Sequence, residues 1–225
     1  NIAHELRTPI SNLMTQTQVA LSSARDKDEY KEVLYSSLEE YERMAQMVGD
    51  MLYLAQAENG LLNPGREQVD LASETRDLFD YFEAWAEEHS VALTLTGAAS
   101  VVGDRLMLRR ALSNLLSNAI RHTPRGNVVQ VSMSRHADTV TLAIENPGPA
   151  IPAEHLHKLF DRFYRVDPSR QRNGDGTGLG LAICKSIVEA HGGSISVSSD
   201  DQGTRFAIAL PATLASGQWP VGGGA

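Results

Sequence analysis

Cysteine occurs once in these 225 residues, at Cys184, so no internal disulfide can form and the chain fits a reducing compartment. That thiol sits in the apolar run Leu181-Ala182-Ile183-Cys184 and reads as a small core residue rather than a reactive group. No apolar run approaches the roughly 20 residues that a membrane span needs. No signal peptide is visible, and the chain begins at Asn1 without an initiator Met, inside what reads as a helix. It is therefore read as a fragment, whose missing span says nothing about the parent protein. Positive charge is scarce as well: 20 Lys and Arg against 28 Asp and Glu give a net charge of −8, which argues against a nucleic-acid partner. No internal repeat is found.

The charge that is present is unevenly spread. Residues 26 to 88 hold seventeen Asp or Glu against five Lys or Arg. Residues 158 to 172 invert the balance, with Lys158, Arg162, Arg165, Arg170 and Arg172 against Asp161 and Asp167. A cationic island in an acidic chain suits a local anion rather than a long polyanion; a solvated charged loop is the alternative.

Residues 1 to 57 read as two long helices. Leu6, Ile10, Leu13, Thr17, Ala20 and Ala24 recur at alternating steps of four and three in the first. Leu34, Leu38, Tyr41, Ala45, Val48, Leu52 and Ala55 do so in the second. Both are seams of the coiled-coil type. The polar turn over residues 22 to 28 makes them a helical hairpin. Such a hairpin has a thin core, so pairing with a second copy into a four-helix bundle is expected.

Residues 58 to 70, with Asn59-Gly60 and Asn63-Pro64-Gly65, read as a linker. Beyond it, helices fit 71 to 88, 104 to 121 and 178 to 191. Strands fit 91 to 95, 127 to 134, 138 to 145, 194 to 199 and 204 to 210. A Pro- and Arg-rich loop spans about 147 to 177, longer than most structureless connections. The pattern predicts an α+β two-layer sandwich, followed by a disordered tail over 214 to 225.

On the first helix, at about 100° per residue, His4 falls about 160° from Leu6, on the outward face, with Thr8 one turn along. A neutral imidazole there has one ring nitrogen free as a nucleophile, and Glu5 is near enough to take up the other nitrogen's proton. Pro9 removes a helical hydrogen bond and bends the helix beside His4. A merely solvated histidine remains the alternative. Farther on, Asn114 and Asn118 share one helix face, with Arg121 a turn beyond. Asn offers a neutral oxygen to Mg²⁺ and Arg pairs with phosphate, although an ordinary polar stripe reads the same way. Asn146-Pro147-Gly148 follows a strand, where Gly148 lets a planar base approach the backbone and the Asn146 amide reads its edge; the alternative is a Pro-rich turn. Gly174 to Leu181 opens a helix with glycines that free backbone N–H groups for phosphate. No Gly-Lys-Ser/Thr follows, so this is not a P-loop, and a glycine hinge stays open.

Assembled, these residues resemble the cytoplasmic core of sensor histidine kinases over residues 1 to about 211. His4 to Pro9 is similar to the family's H box and Asn114 to Pro124 to its N box. Asn146 to Pro152 resembles the G1 box, Leu159 to Tyr164 the F box, Gly176 to Leu181 the G2 box, and Gly203-Thr204 the G3 position. The resemblance implies a dimerisation and histidine-phosphotransfer hairpin over 1–57. It also implies an ATP-binding domain of the GHKL (Bergerat) type over 71–213. His4 is then the phospho-acceptor, Glu5 its base, and Thr8 a residue of the reverse, phosphatase reaction. Asn118 binds Mg²⁺, with Asn114, Arg121 and His122 near the phosphates. Asn146, Gly148 and Thr204 lie at the base. Phe160, Phe163 and the run Gly176, Thr177, Gly178, Leu179, Gly180 belong to the lid and phosphate loop.

Where most of the family carries Asp-x-Gly-x-Gly, this chain has Asn146-Pro147-Gly148-Pro149-Ala150, which loses a charge-assisted bond to adenine. The wording of the G1 and F boxes resembles the heavy-metal-responsive branch. A homodimer, a response-regulator receiver domain as partner, and a parent anchored in the inner membrane with this portion cytoplasmic are implied. A GHKL-type ATPase that releases phosphate to water, and a catalytically weak scaffold, are the competing readings.

Overall fold

Asp26 starts the second helix. Its Oδ1 accepts the N–H groups of Asp28 and Glu29 at 2.9 and 2.8 Å, while Glu29 Oε2 accepts Asp26 N–H at 3.0 Å, a reciprocal capping box. The structure, a computed structural model, describes residues 2–24, 26–166 and 177–212, with side chains from residue 6 onward. The tail read from 214 to 225 lies outside the described residues. Contacts divide the chain into two units, residues 1–55 and 56–225.

The first unit holds α1 (Ile2–Ser22) and most of α2 (Lys27–Glu58). Pro9 lies inside α1 without ending it. Gln16 Nε2 donates to Ser36 Oγ at 3.5 Å across the hairpin. On α1 the seam read from sequence is partly right, with Leu13 and Ala20 buried. On α2 it is corrected. The buried positions are Met47, Asp50 and Leu54, whereas Leu34, Leu38, Tyr41 and Leu52 are each more than half exposed. A heptad pattern specifies an apolar stripe, not what covers it.

The second unit begins with a further correction, since the last residues of the expected linker are a strand. β1 (Glu67–Asp70) pairs antiparallel with β3 (Ser100–Gly103). Neither strand was foreseen, because four residues are too few to show alternation. The main sheet has the order β2-β4-β5-β7-β6, built from β2 (Ala92–Thr96), β4 (Val128–His136), β5 (Thr139–Asn146), β6 (Ser194–Asp200) and β7 (Gly203–Pro211). β2 runs parallel to β4 and every other pair is antiparallel. Val140, Leu142 and Ile144 of β5 and Phe206, Ile208 and Leu210 of β7 point into the core, and α3 (Leu71–Glu88), α4 (Arg105–His122) and α6 (Gly180–Ala190) complete the second layer. This is the two-layer sandwich the pattern predicts. The short α5 (Ala153–Leu156) lies in the long loop.

Asp70 and Asp104 cap α3 and α4 through the N–H groups of Ala72, Ser73 and Met107. Glu74, 3 % exposed, ties these helices together by accepting Arg105 Nε at 2.5 Å and Arg109 Nη1 at 3.1 Å. A carboxylate so desolvated needs both partners. α4 and α6 are joined at three levels. Asp104 N–H donates to His191 Nε2 at 2.9 Å, the Cys184 thiol to Ala111 O at 3.2 Å, and Asn114 Nδ2 to Gly180 O at 3.3 Å. One number rises as the other falls, so the helices are antiparallel. Cys184 is fully buried, and desolvation pushes its pKa to about 12, which leaves the thiol unreactive.

His191 donates from Nδ1 to Ile187 O at 2.7 Å, so its Nε2 is an acceptor and the ring is neutral. Burial lowers its pKa, against the Ile187 bond and the Asp104 charge, which raise it. A depressed folded-state pKa means stability is complete above the unfolded value of roughly 6.5 and is lost as pH falls below it. The stability of the chain against thermal unfolding is expected to fall between pH 7 and pH 5, by up to about 1–3 kcal/mol for the lost acceptor of Asp104 N–H. His191→Gln should flatten that slope; an unchanged slope in the variant would assign the pH dependence elsewhere.

Candidate functional site

The described residues among those predicted from sequence in the second unit form one connected wall. At the C-terminal half of α4, Asn114 and Asn118 are half-buried on one face. Asn114 is used by the protein itself, through Gly180 O. The Asn118 side chain has no hydrogen-bond partner among the described residues. Arg121 rests its guanidinium over the Trp85 ring, 5.8 Å from the centroid, a cation–π contact. His122 is exposed, and its carbonyl oxygen would lie 3.3 Å from a Cβ on Gly148. The loop after β5 therefore lies against the end of α4.

Asn146 ends β5 opposite Thr204 of β7; both are buried. A Cβ on Gly203, whose φ is +145°, would stand 2.2 Å from Asn146 O, so only glycine allows the two strands to meet here. Ser199 was not foreseen, yet it joins three segments. Its Oγ accepts Ile151 N–H at 3.0 Å, donates to Gly203 O at 3.1 Å, and lies 2.9 Å from Thr204 Oγ1. The available signal was a polar residue at an inward position, since Ile195, Val197 and Ser199 alternate along β6.

The F-box stretch closes the other side. Phe160 meets Phe206 edge-on at 6.3 Å. Phe163 has φ +61° and donates its N–H to Gly178 O at 3.0 Å. A Cβ on Gly178 would lie 2.9 Å from Phe163 Cα, so this glycine is fixed by backbone approach as well as by its own φ of +70°. His155 Nδ1 and the Tyr164 hydroxyl are 2.6 Å apart, a further pin that the sequence reading missed. Thr177 Oγ1 accepts Leu179 N–H at 3.4 Å, and Leu179 is completely buried. α6 then starts at Gly180 with no side-chain cap among the described residues, and the first N–H groups of a helix suit an anion. Gly176, Arg170 and Arg172 lie outside the described residues.

In the first unit, His4 and Glu5 fall on the first turns of α1, and their side chains lie outside the described residues. Thr8, one turn beyond His4, is exposed. Among the described residues no cluster of three His, Cys, Asp or Glu can hold a metal. Nor is any described helix long and apolar enough to cross a membrane.

Residues 103–214 match the profile of the histidine kinase-, DNA gyrase B- and HSP90-like ATPases, the class that this sandwich defines. Residues 1–60 match the His Kinase A phospho-acceptor domain. With both parts in this order, the chain belongs to the sensor histidine kinase family. It is 58% identical over 213 residues to the sensor histidine kinase CusS of Escherichia coli K12, covering 94% of this chain and 44% of that protein. It is 55% identical over 216 residues to the probable sensor kinase SilS of Salmonella typhimurium, with the same coverage. The chain thus spans less than half the length of these relatives. Among solved structures, the Acinetobacter baumannii histidine kinase AdeS superposes with a TM-score of 0.79 at 27% identity, covering 93% of this chain and 98% of that one.

The Gly203 contact gives a direct test of the wall. Gly203→Ala should cost roughly 1–3 kcal/mol of stability through overpacking and weaken ATP binding by pushing Asn146 out of line. Thermal melting and ATP titration of the same sample check both, and unchanged ATP affinity would remove this corner from the site.

Proposed function

We propose that this chain transfers the γ-phosphoryl group of ATP to His4 and then to an aspartate of a response-regulator receiver domain. The reading is carried by one observation above all. Asn114 to Gly180, Gly178 to Phe163, Phe160 to Phe206 and Asn146 to Gly203 are direct contacts, so separate sequence boxes line one wall. Asn146, Gly148 and Thr204 hold the base. The N–H groups opening α6, with Gly176, Thr177, Gly178, Leu179 and Gly180, hold phosphate, and Asn114, Arg121 and His122 border it. Phe160 and Phe163 cover the nucleotide.

Mg²⁺ would be held at Asn118, where it would neutralise phosphate charge. That half-buried amide side chain is unpartnered among the described residues and would offer the ion a neutral oxygen. A His4 ring nitrogen attacks the γ-phosphorus as the bond to the ADP oxygen breaks, and Glu5 takes the proton released from the ring. The pocket's own contribution is positioning and charge neutralisation. Thr8 orients water for the reverse, dephosphorylating reaction on the partner.

The exposed stripe of α2, with the groove formed by Ile10, Leu13, Met14, Thr17, Tyr41 and Met44, supports a homodimer through the hairpin. The parent is a membrane-anchored sensor of the heavy-metal-responsive branch, with this portion on the cytoplasmic side, where ATP and receiver domains reside.

Incubation with γ-labelled ATP and Mg²⁺ should give acid-labile label on the protein that His4→Gln abolishes. Label surviving that substitution would reject His4, and free phosphate without phosphoprotein would favour a simple ATPase. Asn118→Ala should slow labelling by roughly two orders of magnitude, the usual loss for one group that stabilises transition-state charge. Sedimentation at micromolar concentration should show a dimer that Leu38→Glu dissociates; a compact monomer of the unsubstituted chain would reject the dimer.

A further inference from the structure

We infer that Trp85 is a positioning residue for this site: its indole holds the Arg121 guanidinium on the α3 side of α4, in competition with nucleotide phosphate. The inference rests on the nucleotide site proposed above, in which Arg121 borders the phosphates. At about 100° per residue, Arg121 lies about 20° from Asn114 and about 60° from Asn118, rotated toward the Arg109 side of the helix. Asn114 reaches α6 through Gly180 O at 3.3 Å, and Arg109 reaches α3 through Glu74 Oε2 at 3.1 Å. Asn118 and the start of α6 thus lie on one flank of the polar face of α4, and α3 lies on the other. Arg121 projects between them, and its side chain crosses to α3, where the guanidinium lies 5.8 Å from the Trp85 ring centroid.

The ring is held for this contact from two sides. The buried Phe82 ring lies tilted against it at 5.8 Å, and His89 meets it edge-on at 5.2 Å. His89 Nδ1 also donates to Trp85 O at 2.8 Å, which ties down the end of α3. The end of α4 is anchored beside it. Arg125 donates from Nη2 to Glu88 O at 2.6 Å, and Gly126 N–H donates to Ser90 O at 2.7 Å. The two helix ends therefore keep their separation, and the movable part is the Arg121 side chain about its own torsions.

An indole attracts a guanidinium through the electron-rich face of its ring, within about 6 Å of the centroid. A contact at 5.8 Å is thus near the limit of that attraction and weaker than a charge-assisted hydrogen bond to a phosphate oxygen. A phosphate held at the start of α6 draws the guanidinium across the polar face of α4 and off the ring. The cation–π contact is lost in the exchange, so Trp85 lowers nucleotide affinity by the factor that contact is worth, roughly two- to fivefold at a half-exposed ring. Leucine at this position keeps an apolar side chain without an aromatic face, and phenylalanine keeps a face that attracts cations less than indole does.

Calorimetric titration of the whole chain with Mg·ATP tests this. Trp85→Leu should tighten binding by roughly two- to fivefold, with Trp85→Phe in between, and neither should alter the affinity of an Arg121→Met chain. A role in stability alone would neither tighten binding nor depend on Arg121. Intrinsic fluorescence gives a second readout, taken in a Trp219→Phe chain because Trp219 is the only other tryptophan. The Trp85 emission should change on saturation with Mg·ATP, and Arg121→Met should remove that change. Unchanged or weaker affinity in a folded Trp85→Leu chain overturns the inference, as does a gain that persists alongside Arg121→Met. Where the Leu variant fails to melt cooperatively, the Phe variant and the fluorescence decide. Failure of the unsubstituted chain to bind Mg·ATP removes the nucleotide site itself, whereas ATP binding that the Trp85 variants leave unaltered overturns only the exchange of Arg121.

Discussion

The antiparallel pairing of α4 with α6 sets the geometry of everything around it. Asn118 sits on one helix, and the uncapped N–H groups sit at the start of the other. Their relative position is fixed by bonds at three levels, from Asp104 and His191 through Ala111 and Cys184 to Asn114 and Gly180. Alongside those bonds, Leu108, Ala111 and Leu115 of α4 and Ile183, Cys184 and Ile187 of α6 are all buried. A slip of one residue would turn each bonded group by about 100° and break all three links. Hydrophobic burial supplies most of the attraction, but it is non-directional; the polar links choose the register.

The same arrangement explains where polar groups are spent on structure and where they are kept for chemistry. Asn114 is occupied by the fold, while Asn118, four residues on, has no such partner. Asp104 caps a helix and accepts from Gly65 N–H, and His191 serves as a buried acceptor at the far end of α6. Burial raises the Asp104 pKa, but bonds from Met107, Gly65 and Leu106 and the nearby His191 outweigh it, and the carboxyl titrates below its ordinary range. These residues lie away from the wall and keep the helices in place without taking part in it. Where β5 meets β7 the economy differs: Asn146, Ser199 and Thr204 are buried or half-buried neutral groups that hold loop and strand segments together.

Glycine marks the positions where backbone meets backbone. Gly178 faces Phe163 and Gly203 faces Asn146 at separations no Cβ tolerates. Both bring a box from one part of the chain against a box from another. In the sequence they read only as turn or hinge residues, because the atoms that forbid a side chain belong to residues 15 and 57 positions away.

The sequence alone was enough to predict the helical hairpin, the α+β sandwich and the order of six motifs, since periodicity and local motif wording are carried by neighbouring residues. It missed β1 and β3, which are too short to alternate, and took residues 67–70 for linker. It found the apolar stripe of α2 but not which way it faces, because a stripe records hydrophobicity and not its partner. Only the tertiary structure decided that Asn114 is bound to Gly180 and Asn118 is not, that Arg121 lies on Trp85, and that Ser199 joins three segments. Those facts depend on distances between residues remote in the chain. Helix packing and strand register set such distances, and no local pattern encodes them.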